Sequence, residues 1–182
     1  IDPPLIDAYA RAFDKDPKIR LVLLTHLSHR TGLVVPVREI VAMARARGID
    51  AIVDAAHSWG QLDFTLPAID ADFVGLNLHK WMGAPLGVGV MYVRESRIDA
   101  IDRDIANDAA ATGIHARVHT GTLDYAAQLS VPAALDFQES IGGPAREARL
   151  RWLRDRWLPG STPPGADALR EFLNTAIALL PA

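Results

Sequence analysis

Hydrophobic residues at helical spacing alternate with short continuous hydrophobic runs along this chain of 182 residues. The first segment has helical spacing and a proline suited to a first helical turn, so it predicts a helix that ends near residues 15–17. Its hydrophobic positions are Leu5, Ile6, Tyr9, Ala10 and Phe13. Residues 19–25 then form a mainly hydrophobic run, which is typical of a strand buried on both faces. Such a strand predicts a parallel sheet.

The next elements have the order of a βαβ unit. Pro36 begins a second helix whose hydrophobic residues share one face, and Gly48 stands where that helix should end. A strand at residues 51–53 follows directly. Further strands are expected at residues 72–76 and 87–93, and further helices at 95–106, 125–141 and 145–157. This order predicts an α/β fold whose functional groups lie beyond the carboxyl ends of parallel strands.

The composition of the chain changes after residue 157. Residues 158–165 are rich in proline and glycine, which is typical of a linker. Residues 167–180 predict a last short helix. We therefore expect one domain at residues 1–157, followed by a linker and a short helix at residues 158–182.

Composition and charge favour a small-molecule partner. Hydrophobic residues make up 49% of the chain, as expected of a globular domain with a normal core. The 19 basic and 22 acidic residues give a net charge of -3, so no excess of positive charge favours nucleic acid or an anionic membrane. The absence of cysteine excludes a thiolate metal site and a cysteine nucleophile within these residues. We expect a cytoplasmic protein without a metal site or a membrane span.

Three short segments carry side chains suited to chemistry. The segment 53–57 places the carboxylate of Asp54 at the end of a buried strand, with an imidazole three residues later. The segment 77–81 places Lys80 directly after a strand, among hydrophobic and aromatic neighbours whose desolvating effect would favour a neutral amine. The segment 119–122 has a hydroxyl beside a glycine. Taken singly, the three segments are also consistent with a helix cap, a solvated lysine and an ordinary loop.

Together, the order and spacing of these segments resemble the class V aminotransferase family of fold-type I pyridoxal-phosphate (PLP) enzymes. The pattern runs from about residue 20 to residue 142, and its elements are Leu24-Thr25-His26-Leu27-Ser28, Thr31-Gly32, Pro36, Asp54-Ala55-Ala56-His57, Asp72-Phe73, His79-Lys80-Trp81, Ala84-Pro85-Leu86-Gly87-Val88-Gly89 and Gly121-Thr122. The chain is most similar to the isopenicillin N epimerase-like group, because His57 stands where cysteine desulfurases usually carry glutamine. The resemblance implies a three-layer α/β fold with a mainly parallel sheet, in which residues 1–157 are part of the PLP-binding large domain.

The resemblance also implies roles for individual residues. Lys80 is expected to bind the cofactor covalently and to carry a proton to or from the substrate α-carbon. Asp54 is expected to keep a proton on the pyridine nitrogen, which strengthens the cofactor as an electron sink. His57 is expected to lie against the cofactor ring or its phenolic oxygen. Asn77 and His79 are expected to face the cofactor phosphate, although relatives often have serine where this chain has Asn77.

Two further cofactor-binding positions follow from the resemblance. Thr122 resembles a hydroxyl that reaches the phosphate from the second subunit, which implies a homodimer. His29 departs from the family pattern, since relatives mostly have asparagine or serine there, near the phenolic oxygen. A hydrogen bond from position 29 is still expected, with a changed geometry.

Two other motifs have simpler explanations. Residues 83–89 lack the Gly-Lys-Ser/Thr ending of a nucleotide phosphate-binding loop, so we interpret them as a turn into a core strand. The arginines of residues 149–154 are better explained by a helix with one solvated basic face than by nucleic-acid binding.

Three hypotheses about function remain open. The first is a PLP-dependent enzyme that removes the α-proton of an amino acid or amino-acid-derived substrate, with epimerase-like chemistry. The second is a carbon–sulfur lyase or cysteine desulfurase-like enzyme. The lack of cysteine weakens a persulfide mechanism, although relatives often carry that cysteine nearer their C-terminus. The third is a truncated, non-catalytic remnant, because the segments that flank this core in full-length relatives are not recognisable here.

Overall fold

The computed structural model describes residues 3–107, 109–118 and 125–157. Its α-helices are α1 Pro3–Lys15, α2 Val37–Arg45, α3 Leu66–Ile69, α4 Tyr125–Leu129, α5 Val131–Ile141 and α6 Gly143–Trp157. Its strands are β1 Leu21–Thr25, β2 Asp50–Asp54, β3 Phe73–Asn77 and β4 Gly89–Val93. Short 3-10 helices cover Glu95–Ala100 and Gly113–Ala116.

The four strands form one mixed sheet in the order β1-β2-β3-β4. β1, β2 and β3 are parallel, with Leu24 opposite Val53 and Val53 opposite Val74. β4 is antiparallel to β3, with Leu76 opposite Val90. The predicted α/β fold with a mainly parallel sheet is therefore confirmed. Because β2 and β3 are parallel neighbours, the residues that follow both strands lie at the same edge of the sheet, here called the carboxyl edge.

The main hydrophobic core lies on the face of the sheet that carries Leu24, Val53 and Val74. Side chains alternate between the two faces of a strand, so every second strand residue contributes to this core. α2 adds residues at helical spacing, as the sequence predicts. The core residues of α2 are Val37, Ile40, Val41 and Ala44, each at most 3% exposed. Full burial of a Val, Leu or Ile side chain contributes about 1.5–3 kcal/mol, so this cluster accounts for much of the stability of the sheet.

The other face of the sheet is exposed, and the prediction that β1 is buried on both faces is wrong. Leu21 and Leu23 of β1 are 50% and 67% exposed, and Met91 of β4 is 68% exposed. A continuous hydrophobic run shows that a strand suits burial on both sides. It does not show which residues cover the second side, and the described residues leave these three side chains accessible.

A second hydrophobic cluster lies around the loop that follows β3. Leu78, Met82, Ala84 and Val88 are each less than 9% exposed. They pack against partly buried residues of α4, α5 and the β2–α3 connection, namely Ala127, Val131, Ala134, Leu135 and Trp59. The segment 78–84, which we call the lysine loop, is thus attached to α5 by hydrophobic contacts.

Charged residues at the amino ends of β2 and β3 form an ion-pair network. The buried carboxylate of Asp72 accepts a hydrogen bond from the amide of Ala51 at 3.0 Å and lies 3.4 Å from Arg94 Nε. Arg94 also contacts Asp70 at 2.6 Å, and Arg45 pairs with Asp70. Hydrogen bonds from Arg94 and then Arg45 lower the pKa of Asp70 below its usual value. Asp70 and Asp72 therefore each have arginine partners among the described residues.

Two predicted helices have different bounds in the structure. The helix expected at residues 95–106 is only the short 3-10 helix that ends at Ala100. Further along, the Asp104 carboxylate accepts a hydrogen bond from the amide of Ala106 at 2.8 Å, and this local turn competes with a helix. The helix expected at 125–141 is divided into α4 and α5 at Ser130, because Pro132 lacks the amide hydrogen that a continuous helix needs.

The chain divides into two compact units, Ile1–Arg146 and Glu147–Ala182. In the described part of the second unit, Arg151 pairs with Glu147 at 2.5 Å, and the guanidinium of Arg149 lies 4.3 Å from the Trp152 ring centroid. The predicted linker and helix at residues 158–182 lie outside the described residues. None of the described helices is long and apolar enough to cross a membrane.

Candidate active site

The carboxyl edge of the sheet begins the site with Asp54, the last residue of β2. Asp54 pairs in register with Gly75 of β3. Its side chain is exposed, and its carboxylate accepts a hydrogen bond from the amide of Ala56 at 2.9 Å. The carboxylate thus shapes the turn that leads to His57, as a capping aspartate does, and it remains accessible to a ligand.

His57 is held by its own loop. The amide of Trp59 donates to the carbonyl of Ala55 at 2.9 Å, and the fully buried Ser58 donates its hydroxyl to the same carbonyl at 3.3 Å. Gln61 donates from Nε2 to the His57 carbonyl at 2.7 Å. The main chain around His57 is therefore restrained by bonds on both sides of the imidazole.

Lys80 reaches the same imidazole from the lysine loop. Its Nζ lies 3.2 Å from Nε2 of His57. The loop closes on itself, since the amide of Ala84 donates to the Leu78 carbonyl at 2.9 Å and that of Gly83 to the Lys80 carbonyl at 3.3 Å. Lys80 itself is exposed, so the expectation that hydrophobic neighbours desolvate its amine is wrong for the described residues. The imidazole is the nearest polar partner that the structure gives this amine.

Trp81 contacts His57 from the other side. Its indole Nε1 donates to Nδ1 of His57 at 3.4 Å. Its main chain passes close to Gly60, where an added Cβ would lie 2.8 Å from the Trp81 Cβ and 2.9 Å from its carbonyl carbon. Only glycine at position 60 leaves room for this approach, and Gly60 also has a positive φ of 88°.

The side chain of Gln138 attaches the lysine loop to α5. Gln138 is 8% exposed, and its Nε2 lies 3.2 Å from the carbonyl oxygens of both Trp81 and Met82. Its Oε1 accepts a hydrogen bond from Arg146 at 2.8 Å. Gln138, Gly60 and Gln61 also shape the site, although they were not predicted from the sequence. No motif marks them, because their role depends on contacts between segments that are distant in sequence.

His29 lies on the ring of His57. The two ring centroids are 5.4 Å apart and the planes are inclined by 25°, which is a stacked arrangement. His29 is exposed, and it follows Ser28, whose carbonyl accepts the amide of Gly32 at 2.9 Å in a tight turn. The structure therefore brings His29, His57 and Lys80 together with the neighbouring Trp81.

The electrostatics of this group keep His57 neutral at lower pH than usual. Its pKa is lowered mainly by burial, and further by the positive charges of Lys80 and His29, whereas the carboxylate of Asp54 raises it. Asp54 and Lys80 therefore both act on the imidazole of His57, at the carboxyl edge of the sheet.

Asn77 and His79 lie beside this group at the end of β3. Asn77 pairs with Gly89 of β4, where an added Cβ would lie 3.0 Å from the Leu76 carbonyl oxygen. His79 Nδ1 lies 3.3 Å from the carbonyl oxygen of Val88, and since a carbonyl only accepts, Nδ1 carries a hydrogen. Thr122, the remaining predicted cofactor residue, lies outside the described residues.

The match to a family model defines the class of protein. The model for aminotransferase class V matches residues 6–158, so the chain belongs to the class V aminotransferase family. The fold and the lysine at the carboxyl edge agree with this assignment. The family and the PLP-linked structures similar to this chain indicate pyridoxal phosphate as the cofactor.

Two groups of curated relatives resemble the chain to a similar degree. It is 34% identical over 171 residues to an isopenicillin N epimerase from Streptomyces clavuligerus, covering 85% of this chain and 43% of the relative. It is 35% identical over 131 residues to a probable chloroplastic L-cysteine desulfhydrase from Arabidopsis thaliana, covering 69% of this chain and 28% of the relative. The chain thus spans less than half the length of these relatives.

Solved structures share the fold. A C-DES mutant with glycine covalently linked to its PLP cofactor is similar with a TM-score of 0.69 and 26% identity, covering 79% of this chain and 41% of the other. The apo cysteine desulfurase of Thermococcus onnurineus NA1 is similar with a TM-score of 0.72 and 24% identity, covering 83% of this chain and 40% of the other. At this identity the second likeness shows the fold alone.

Proposed function

We propose that this chain is the cofactor-binding core of a PLP enzyme that acts on an amino acid or amino-acid-derived substrate by epimerase-like α-proton chemistry. The observation that carries the proposal is the meeting of Lys80 with His57 at 3.2 Å, beside the accessible carboxylate of Asp54. An amine, an imidazole and a carboxylate at one strand edge supply a nucleophile, a hydrogen-bonding partner and a counter-charge.

The residues at the carboxyl edge fit the chemistry of the cofactor. When bound, PLP supplies an electron sink for negative charge at the substrate α-carbon. Lys80 would hold the cofactor covalently and, when free, would move a proton at the substrate α-carbon. Asp54 would hold a proton on the pyridine nitrogen. His57 and His29, whose ring centroids are 5.4 Å apart, would lie against the ring and near its phenolic oxygen.

Asn77 and His79 are proposed to bind the phosphate. The Asn77 amide donates hydrogen bonds without charge. His79 already carries a hydrogen on Nδ1, which lies 3.3 Å from the Val88 carbonyl. Its other ring nitrogen, Nε2, is therefore the atom proposed to meet the phosphate. The hydroxyl of Thr122 is proposed to reach the phosphate of a second subunit, in a homodimer.

The alternative is carbon–sulfur lyase or cysteine desulfurase-like chemistry on the same core. The observation that favours it is the similarity to the probable L-cysteine desulfhydrase. Its identity to this chain is 35%, compared with 34% for the epimerase. The cystine C-S lyase C-DES, solved with its product cysteine persulfide, is 28% identical with a TM-score of 0.64. A third hypothesis is a non-catalytic remnant of such an enzyme.

One experiment separates the enzyme hypotheses from the remnant. The purified chain is mixed with PLP, its visible absorption is recorded, and the product is reduced with borohydride before peptide mass analysis. We expect a visible band and cofactor mass on the Lys80 peptide. Lys80→Ala should abolish both, and the control Lys18→Ala, at an exposed position, should change neither. A chain that stays colourless with excess PLP would contradict the proposal.

A second experiment separates the two reaction types. The PLP-loaded chain is incubated in deuterium oxide with candidate amino acids, including cysteine. Deuterium at the α-carbon without release of sulfide supports epimerase-like chemistry. Release of sulfide supports the lyase instead.

A further inference from the structure

The side-chain amide of Gln138 has partners for both of its polar atoms. Nε2 carries two hydrogens and lies 3.2 Å from the carbonyl oxygens of Trp81 and Met82. Oε1 accepts a hydrogen bond from Nη1 of Arg146 at 2.8 Å. A carbonyl oxygen accepts and a guanidinium donates, so this orientation of the amide is the one that serves all three partners.

Arg146 is needed to keep the amide in that orientation. Gln138 is 8% exposed, so little water can reach Oε1 if the guanidinium is removed. A buried acceptor without a partner is unfavourable. The amide would then turn toward another donor or toward solvent, and Nε2 would leave the two carbonyl oxygens.

The break between α5 and α6 brings Arg146 to Gln138. The two residues are eight positions apart, which in a continuous helix corresponds to about 12 Å along the axis. Gly142, with a φ of 81°, ends α5, and its carbonyl accepts the amide of Arg146 at 3.1 Å at the start of α6. The contact therefore depends on the turn between the two helices and not on helical spacing.

The two carbonyls that Gln138 holds follow directly after Lys80. The amide of Gly83 donates to the Lys80 carbonyl at 3.3 Å, so the residues on either side of these carbonyls belong to one closed loop. Nζ of Lys80 lies 3.2 Å from Nε2 of His57. Because the Lys80 side chain is exposed, the position of its main chain largely decides whether the amine reaches the imidazole.

We propose that Arg146 is a positioning residue for Lys80. By donating to Oε1 of Gln138, it keeps Nε2 on the carbonyls of the lysine loop, and the loop directs the lysine amine to His57. The proposal rests on the proposed function in one respect, since Lys80 is taken as the residue that binds the cofactor. It does not depend on the substrate.

The test uses the imidazole of His57 as a sensor of where Lys80 lies. Burial lowers the pKa of His57 first, and the positive charges of Lys80 and His29 lower it further, whereas Asp54 raises it. If the Lys80 amine moves away, the pKa of His57 must rise. The pKa is measured by an NMR titration of the chain without cofactor, and the resonance is assigned by its loss in His57→Phe.

The expected shifts are calibrated within the experiment. Lys80→Ala removes the charge and should raise the pKa of His57. Arg146→Met should reproduce part of that rise. In the Lys80→Ala background Arg146→Met should add nothing, because it acts through the position of the amine. Circular dichroism checks that each variant is folded.

Three further variants separate positioning from other effects. Arg149→Met removes a positive charge from an exposed position of α6 and should leave the pKa of His57 in place. Gln138→Met changes no charge and should raise the pKa as Arg146→Met does. Arg146→Lys keeps the charge and a donor on a shorter side chain, so its rise should be intermediate, and it serves as the test if Arg146→Met does not fold.

Two results would overturn the proposal: a rise in Arg146→Met no larger than that in Arg149→Met, or the same rise when the Lys80 side chain is absent. The proposed function fails by a different observation, namely a colourless chain in excess PLP. The titration uses no cofactor, so the two failures can be told apart.

Discussion

Replacing Gln138 with methionine tests whether α5 holds the lysine loop in place. The amide of Gln138 lies 3.2 Å from the carbonyl oxygens of Trp81 and Met82. A neutral hydrogen bond contributes about 0.5–1.5 kcal/mol net and one from a charged donor about 1.5–3 kcal/mol, so the loss of both, together with the bond that Oε1 accepts from Arg146, corresponds to about 2.5–6 kcal/mol. Methionine is similar in length and flexible, so a cavity should add little. We expect the free energy of unfolding to fall by this amount.

The assay is urea unfolding followed by circular dichroism, with hydrogen exchange of the Gly83 amide as a local readout. That amide donates to the Lys80 carbonyl at 3.3 Å, so it should exchange faster when the loop loosens. The matched control is Gln128→Met at an exposed position of α4, where the change should stay within about 0.5 kcal/mol. If the two variants unfold at the same urea concentration and Gly83 stays protected, the loop does not depend on Gln138.

Three further predictions concern stability and the surface. Asp72→Asn leaves Arg94 without its buried counter-charge and should lower the free energy of unfolding, measured with urea, by about 1–3 kcal/mol. The control Asp99→Asn changes a side chain that is 96% exposed and should lower it by less than about 0.5 kcal/mol. Burial lowers the pKa of His26, so below about pH 6.5 the folded state binds fewer protons than the unfolded state, and stability falls as the pH drops. His26→Leu should therefore reduce the difference in unfolding free energy between pH 5 and pH 7.5. If the difference is not reduced, other groups cause it. Leu23→Ser should weaken the binding of a hydrophobic dye such as ANS with little loss of stability, because Leu23 is 67% exposed. If dye binding is unchanged, the dye does not bind at the exposed face of the sheet.

The order of the elements could be predicted from sequence because their patterns are local. Hydrophobic spacing predicts α2, and Gly48 has the positive φ of 69° expected after a helix. The antiparallel direction of β4 was not predicted, since a short hydrophobic run has no direction. The exposure of Leu23 was also not predictable, because burial depends on what packs against a strand.

The lysine and the aspartate could be predicted because each directly follows a strand of a parallel sheet. Lys80 and Asp54 reach one edge by topology alone. The surroundings of the lysine were harder to predict. Its exposure contradicts the desolvation expected from the neighbouring Trp81, and the indole acts instead through a hydrogen bond to His57. Such a contact links residues 24 positions apart, and no local pattern indicates it.

The two ends of the sheet differ in how their charges are balanced. At the amino ends of the strands, Asp72 and Asp70 are paired with arginines within 4.0 Å. At the carboxyl edge, Lys80 and His29 form no ion pair with any described residue, and Asp54 is the carboxylate that acts on their shared partner His57. A lysine without a counter-charge attracts an anion, whereas a saturated network does not. The unpaired side chain of Lys80 therefore favours an anionic group, such as the phosphate of PLP, at the carboxyl edge.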